Sequence, residues 1–356
     1  MSKIRLLIID DSALIRTMLT KIFETSDAIE VVGTAADPII ARDKIKKLHP
    51  DVLTLDIEMP RMDGLTFLRN LMRLRPMPVI MISTLTEKGA AITLEALAMG
   101  AVDFVAKPKV DVSNTLQSYA EDLIEKVKVA ANAHIHSAKN TTIAAPKAAE
   151  KLNADAIIPA AIPKNHFAKT EKIIALGSST GGTEAVKAVV KDLPNTTPAI
   201  VISQHLPVAF SASFAKHVDE VTAMTACVAE EGQEIRAGHI YITPGDKHLL
   251  VVREGQRYVC QLNDGPLVNR HKPSVEVMFR SVAQNVGSNA IGVMLTGMGA
   301  DGAVAMKEML EAGSINVIQD EASSVVWGMP GEAYRQGAAH YVQPLDKIAA
   351  QILALV

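Results

Sequence analysis

Gly177-Ser178-Ser179-Thr180-Gly181 spells G-x-S-x-G, the spacing of a sharp strand-to-helix turn that exposes its middle serine, here Ser179. An alcohol is a poor nucleophile near neutral pH, so Ser179 needs a base within reach and an acid to orient that base. His205 ends the next apolar run, AIVISQH, and Asp301 lies in LTGMGADGA after the run AIGVML. Each residue has a plainer use when taken alone: the serine as a helix N-cap, the histidine as packing, Asp-Gly as an ordinary turn. Three suitable residue types at three strand ends favour nucleophilic catalysis. The same glycine-rich turn could cradle a phosphate, but neither common phosphate motif fits. Gly181-Gly182 leads into Thr183-Glu184, where a P-loop needs a lysine. The dinucleotide fingerprint fails too, because Gly177 is followed by three non-glycines and the next strand ends in Gln204-His205, not an acid.

A second set lies near the N-terminus: Asp10 and Asp11 after RLLII, Asp56 after DVLTL, Ser83-Thr84 closing VIMIST, and Lys107 in FVAKP. Close carboxylates repel unless a cation sits among them, so this set suits a divalent metal and a phosphoryl group. A single strand-end aspartate is more often a helix cap. Three of them, with a lysine and a hydroxyl pair at matched positions, call for a common task.

Both sets require a scaffold that brings strand ends together. From residue 5 to about 130, short apolar runs alternate with amphipathic ones as five strand-helix pairs. Runs apolar on both sides of the pleat imply a parallel sheet covered on both faces, with functional groups at the strands' C-terminal ends. The pattern restarts at Lys172 and continues to DKIAAQILAL, with MTACVA, HIYITPG, KHLLVVRE and RYVCQLN reading as antiparallel strands inserted into it and Glu254 to Arg257 as a turn. The stretch between is alanine-rich with scattered lysines and three prolines, and as a coil its ends would lie roughly 35 Å apart. The expected organisation is α/β throughout: a flavodoxin-like doubly wound domain at 1–130, a linker at 131–169, and a mostly parallel doubly wound domain with an antiparallel insertion at 170–356.

Composition limits the partners. The 356 residues carry a formal net charge of −3, and from Lys172 onward 14 Lys and Arg face 18 Asp and Glu. With no basic face or helix-turn-helix, nucleic acid is not an expected partner. The two cysteines, Cys227 and Cys260, lack metal-ligand spacing. No apolar run approaches the roughly 20 residues of a membrane span, and the N-terminal one is short for a signal peptide, so a cytoplasmic protein without membrane insertion is expected.

The N-terminal set, with DIEMPRMDG around Asp56 and FVAKP around Lys107, resembles the receiver domain of two-component response regulators over about residues 3–125. The resemblance implies that Asp56 accepts a phosphoryl group from a histidine kinase. It further implies Mg²⁺ held by Asp10, Asp11, Asp56 and the backbone carbonyl of Glu58, with Lys107 on the phosphate. A strand-four hydroxyl would sense it, Ser83 at the best-matching position with Thr84 beside it.

The chain order Ser, His, Asp argues against a standard α/β-hydrolase. GSSTGGTEA, ISQH, NRHKPSVEVMF, LTGMGADGA and QDEASSVVWGMPGEA instead resemble the chemotaxis-receptor protein-glutamate methylesterases, which are also protein-glutamine glutaminases, across nearly all of residues 172–354. Ser178 departs from the family's usual small apolar residue and leaves two adjacent hydroxyls, of which the turn geometry selects Ser179. The resemblance implies hydrolysis of γ-glutamyl methyl esters and certain glutamine amides on the cytoplasmic helices of chemoreceptors by Ser179, His205 and Asp301, without a cofactor. Backbone N–H groups at Thr180 and Met298 are the expected oxyanion donors. Arg270, His271, Lys272 and Ser274, entering a helix, are candidates for contact with an acidic receptor surface. Two domains and a tether suggest that the receiver covers the strand ends and loosens when Asp56 is phosphorylated. A receptor-binding adaptor without turnover is the competing class, and Ser179→Ala separates the two.

Overall fold

The computed structural model describes residues 3–84, 86–107, 115–133, 152–160 and 171–356. Two compact units divide at residues 141 and 142.

In the first unit β1 (Ile4–Ile9), α1 (Ala13–Glu24), β2 (Ile29–Ala35), α2 (Pro38–Leu48), β3 (Val52–Asp56), α3 (Gly64–Leu74), β4 (Val79–Ser83), α4 (Glu87–Ala98), β5 (Asp103–Ala106) and α5 (Thr115–Ala131) alternate strictly. The five strands form a parallel sheet in the order β2-β1-β3-β4-β5. Leu6, Leu7, Ile8 and Ile9 are all fully buried, which a strand achieves only with helices on both faces. The order reverses beside β1, so the ends of β1 and β3 border a crevice. Helix capping falls to other residues: Asp37 accepts from Ile39 and Ile40 N–H, and Asp63 from Thr66 N–H. Asp10 and Asp56 are thereby left to the crevice.

The second unit begins before its first strand. Residues 152–160, inside the expected linker, include a 3-10 turn at Ala154–Ala156 packed against this unit. Then follow β6 (Ile173–Ser178), α6 (Gly182–Val190), β7 (Ala199–Gln204), α7 (Val208–Asp219), β8 (Thr225–Val228), β9 (Glu234–Ile235), β10 (His239–Ile242), β11 (His248–Glu254) and β12 (Arg257–Asn263). The unit closes with α8 (Val275–Asn285), β13 (Ala290–Met294), α9 (Ala303–Glu311), β14 (Ile315–Gln319), α10 (Met329–Arg335), β15 (Tyr341–Gln343) and α11 (Leu345–Leu355).

Seven strands form a parallel sheet, β15-β14-β13-β6-β7-β10-β8, and β11-β12-β9 form a small antiparallel one. The expected antiparallel insertion is therefore narrower than its four segments. KHLLVVRE and RYVCQLN pair as a hairpin through Gly255, at φ +65°, whereas MTACVA and HIYITPG run parallel to β7 as β8 and β10. Short apolar runs bounded by turns carry no direction of their own; the connection through β9 returns the chain the same way. Strand order reverses at β6, with β7 on one side and β13 on the other, so the ends of these three strands meet at the switch point.

Candidate active site and phosphoacceptor pocket

β6 ends at Ser178 and α6 starts at Gly182, so three residues make the turn. Ser179 N–H donates to Thr296 O at 3.1 Å, and Gly182 N–H donates to Ser179 O at 2.8 Å. Gly181 closes the turn at φ +77°, where a side chain would be strained and its Cβ would lie 2.7 Å from Val325. The two adjacent hydroxyls are sorted by burial. Ser178 is sealed from solvent and donates to Gln204 Oε1 at 2.6 Å, while Gln204 Nε2 donates to Ser179 O at 2.9 Å. Ser179 remains half-buried and faces His205.

His205 Nδ1 lies 3.1 Å from Ser179 Oγ, and its Nε2 lies 2.9 Å from Asp301 Oδ2. An ionised carboxylate only accepts, so Nε2 carries the proton and Nδ1 is free to take the serine's. Asp301 is 2% exposed and accepts three further bonds, from Val275 N–H at 2.6 Å, Ser274 Oγ at 2.8 Å and Asn269 Nδ2 at 2.8 Å. Burial is the largest influence on this carboxyl and acts upward. The hydrogen bond and charge of His205, with His271 and Asn269, outweigh it and hold the group below the usual carboxylate range.

The second layer escaped sequence reasoning. The buried His248 accepts Ser274 N–H at Nδ1 and donates from Nε2 to Pro266 O, which fixes a neutral tautomer; its burial lowers its pKa accordingly. Glu276 accepts Gly302 N–H at 2.9 Å, and burial, then Asp301 nearby, pushes it up to about 8. Both residues sit in or beside quoted motifs, but only long-range folding brings them to Asp301.

The loop holding Met298 is pinned at the residue before it. Gly297 N–H donates to Val326 O, and Gly328 and Met329 N–H both donate to Gly297 O. The Thr296 hydroxyl accepts Val326 N–H at 3.0 Å and reaches Thr180 O at 3.0 Å and Val326 O at 3.1 Å. A Cβ on Gly297 would lie 3.0 Å from Ser179 Cβ, so this loop passes directly beside the candidate nucleophile. Thr180 and Met298, the expected oxyanion donors, therefore belong to two loops tied together by Thr296.

The four residues expected on a receptor-facing loop divide. Arg270 is exposed, Lys272 pairs with Asp264 at 3.1 Å, and Ser274 is fully buried on Asp301. The His271 ring stacks on His205.

In the first unit, oxygens of Asp10, Asp11 and Asp56 lie within 4.8 Å of one another. Lys107 Nζ is 2.8 Å from Asp56 Oδ2 and 3.4 Å from Asp10 Oδ2. Burial, with Asp10 as neighbour, pushes Asp56 up to about 6 against the pull of Lys107, and burial likewise raises Asp10. Burial works against the Lys107 charge, but the two carboxylates prevail and raise its pKa. Glu58 is exposed, with its N–H 3.4 Å from Asp56 Oδ1. Ser83 is buried, accepts from Thr93 Oγ1 at 2.8 Å and donates to Thr84 O at 3.2 Å, whereas Thr84 is half-buried.

Residues 174–352 match the family model described as CheB methylesterase, and residues 6–127 match the response regulator receiver domain. A protein-glutamate methylesterase/protein-glutamine glutaminase of Hydrogenovibrio crunogenus is 56% identical over 100% of both chains. One from Geobacter metallireducens is 50% identical, covering 98% of this chain and 95% of that one. The crystal structure of the Thermotoga maritima CheB methylesterase catalytic domain is similar with a TM-score of 0.52 at 34% identity, over 53% of this chain and 100% of that one. With both halves matched and such relatives aligned from end to end, the chain belongs to the protein-glutamate methylesterase/protein-glutamine glutaminase family, a receiver joined to a CheB methylesterase unit.

Proposed function

We propose that this hydrolase removes methyl groups from γ-glutamyl methyl esters, and deamidates particular glutamines, on chemoreceptors in the cytoplasm through Ser179, His205 and Asp301. The observation that carries the reading is the continuous hydrogen-bond chain from Ser179 Oγ through His205 to Asp301. Ser179 Oγ attacks the γ-carbonyl while His205 Nδ1 takes its proton. Asp301 holds the imidazole by Nε2 and stabilises the imidazolium, remaining ionised itself. The negative oxygen of the tetrahedral intermediate lies between the N–H groups of Thr180 and Met298, a role supported by the pinning of both loops through Thr296. Collapse breaks the C–O or C–N bond and His205 returns the proton, so methanol or ammonia leaves. Water, deprotonated by His205, then cleaves the acyl-serine to give glutamate and free Ser179.

The receiver is proposed to take a phosphoryl group on Asp56 from a chemotaxis histidine kinase. The hard oxygens of Asp10, Asp11 and Asp56, two of the three residues buried, suit Mg²⁺, with the Glu58 carbonyl as a further donor. When bound it would offset the crowded negative charge. Lys107 then lies close enough to engage the phosphate, and Ser83 or Thr84 supplies the sensing hydroxyl. An added phosphoryl group brings about −1.5 to −2 charge, enough to reorganise such a pocket. Methanol release from methylated receptor membranes tests the enzymatic reading: Ser179→Ala should abolish it while receptor binding persists, and unchanged release would remove the assignment.

A further inference from the structure

Residues 152–160 lie ahead of the segment matched by the methylesterase family model, which begins at residue 174, yet Leu152 O accepts the N–H of Asn269, whose side chain donates to Asp301. Ala154 is fully buried in a small apolar cluster with Leu250, Val268 and Val277. Arg280, 4% exposed, reaches out of α8 to Asp155 Oδ1 at 2.6 Å and Ile158 O at 3.2 Å while also paired with Glu308. Gln284 Nε2 donates to Pro159 O at 2.9 Å. The segment is thus fastened by an apolar anchor, a buried cation and a side-chain amide.

What it fastens is the loop beside the triad. Asn269 and Arg270 stand in succession at φ +51° and +73°, a left-handed pair that non-glycine residues hold only where surroundings over-determine them. Three ties do so. Val268 and His271 exchange backbone hydrogen bonds, Asn269 Nδ2 donates to Asp301 Oδ1, and Asn269 N–H donates to Leu152 O at 2.8 Å. The last tie comes from the expected linker. Val268 belongs both to the loop and to the cluster that buries Ala154, so seating Ala154 and closing the loop are one packing event.

We propose that residues 152–160 form a positioning clip, holding the 268–271 loop so that Asn269 orients Asp301 and His271 lies against His205. This rests on the triad reading above. The clip touches no reacting atom; it acts through Asn269 and His271. Deforming it therefore displaces the acid and the ring it supports.

The test uses the full chain, methanol release from methylated receptor membranes, and the low-field proton resonance of the His205–Asp301 hydrogen bond. Ala154→Asp places a charge in the apolar anchor; Ala154→Gly keeps it small and apolar. Ala154→Asp should lower kcat about 10–100-fold with KM within about twofold and shift or broaden the resonance, whereas Ala154→Gly preserves both. Unchanged kcat and resonance in Ala154→Asp overturn the clip. Should that variant fail to fold, Asp155→Ala decides at a half-exposed position: a fall in kcat of about threefold supports the clip, and an unchanged kcat overturns it. Asp301→Asn run in parallel separates the two readings. If it retains full turnover the triad fails; if it loses turnover while the clip variants keep theirs, the clip alone fails.

Discussion

His271 lies flat against His205, ring centroids 3.8 Å apart and planes 12° from parallel. In the proposed reaction the His205 imidazole must hold both nitrogens on their partners through proton transfer, and its ring is gripped at its edge by Ser179 and Asp301 and on one face by His271. The stack restrains the rotation that the edge contacts leave open.

The flat contact should therefore carry much of the contribution of His271, beside the charge by which it helps hold Asp301 low. His271→Ala is expected to lower kcat about tenfold with little change in KM, while His271→Phe, which keeps an aromatic face, retains most of it. Steady-state methanol release from methylated receptors measures both.

Thr296 joins the loops of both proposed oxyanion donors through one hydroxyl. Thr296→Val keeps the shape and removes the bonds. A loss of about 10–100-fold in kcat is expected, below the 10²–10³ typical of deleting a donor outright. Recovery by Thr296→Ser would tie the loss to the hydroxyl, and an unaltered kcat in the valine variant would disconnect Thr296 from the chemistry.

Asp301→Asn replaces a carboxylate that accepts from four donors with an amide that cannot accept at both positions. Turnover should fall about 10³–10⁴-fold. Its lowered pKa also gives a stability signature. The contribution is present above the ordinary carboxylate value and lost as pH falls toward the depressed one, so acid unfolding of the second unit should be shallower in the variant than in the parent.

Glu276 has the opposite sign. Its pKa is raised to about 8, so its stabilising contribution is full below its ordinary value near 4.5 and lost as pH rises through about 8. Glu276→Gln keeps an acceptor for Gly302 N–H and removes the ionisation. The difference in stability between variant and parent should grow from pH 5 to pH 9 by an amount on the order of a few kcal/mol, read by denaturant unfolding across that range. Parallel curves would show that Glu276 does not titrate there.

Asp56, pushed up to about 6, links the receiver to pH in the same direction. Without a divalent ion the first unit should lose stability as pH rises from about 4 through 6, and Asp56→Asn should suppress that loss. Mg²⁺ affinity should weaken as pH falls below about 6, because protons compete for the same oxygens, which titration calorimetry reads. A small phosphodonor should change the methanol-release rate of the parent but not of Asp56→Asn.

The gathering of strand ends was readable in the sequence because a parallel sheet forces it. Runs such as RLLIID and AIVISQH are apolar on both faces and end in candidate residues, so Asp10, Asp56, Ser179 and His205 had to gather at sheet edges. The two units and the family motifs were equally legible. The direction of MTACVA and HIYITPG was not, because pairing partners far along the chain set it. Nor could sequence tell that Ser178 is locked to Gln204, that His271 and Ser274 turn inward to His205 and Asp301, or that Ala154 anchors a segment composed like a tether. Local composition and periodicity decide which stretches become strand or helix and where they end. Which side chain is buried, and whose hydrogen bond it satisfies, depends on neighbours brought together only when the sheets close.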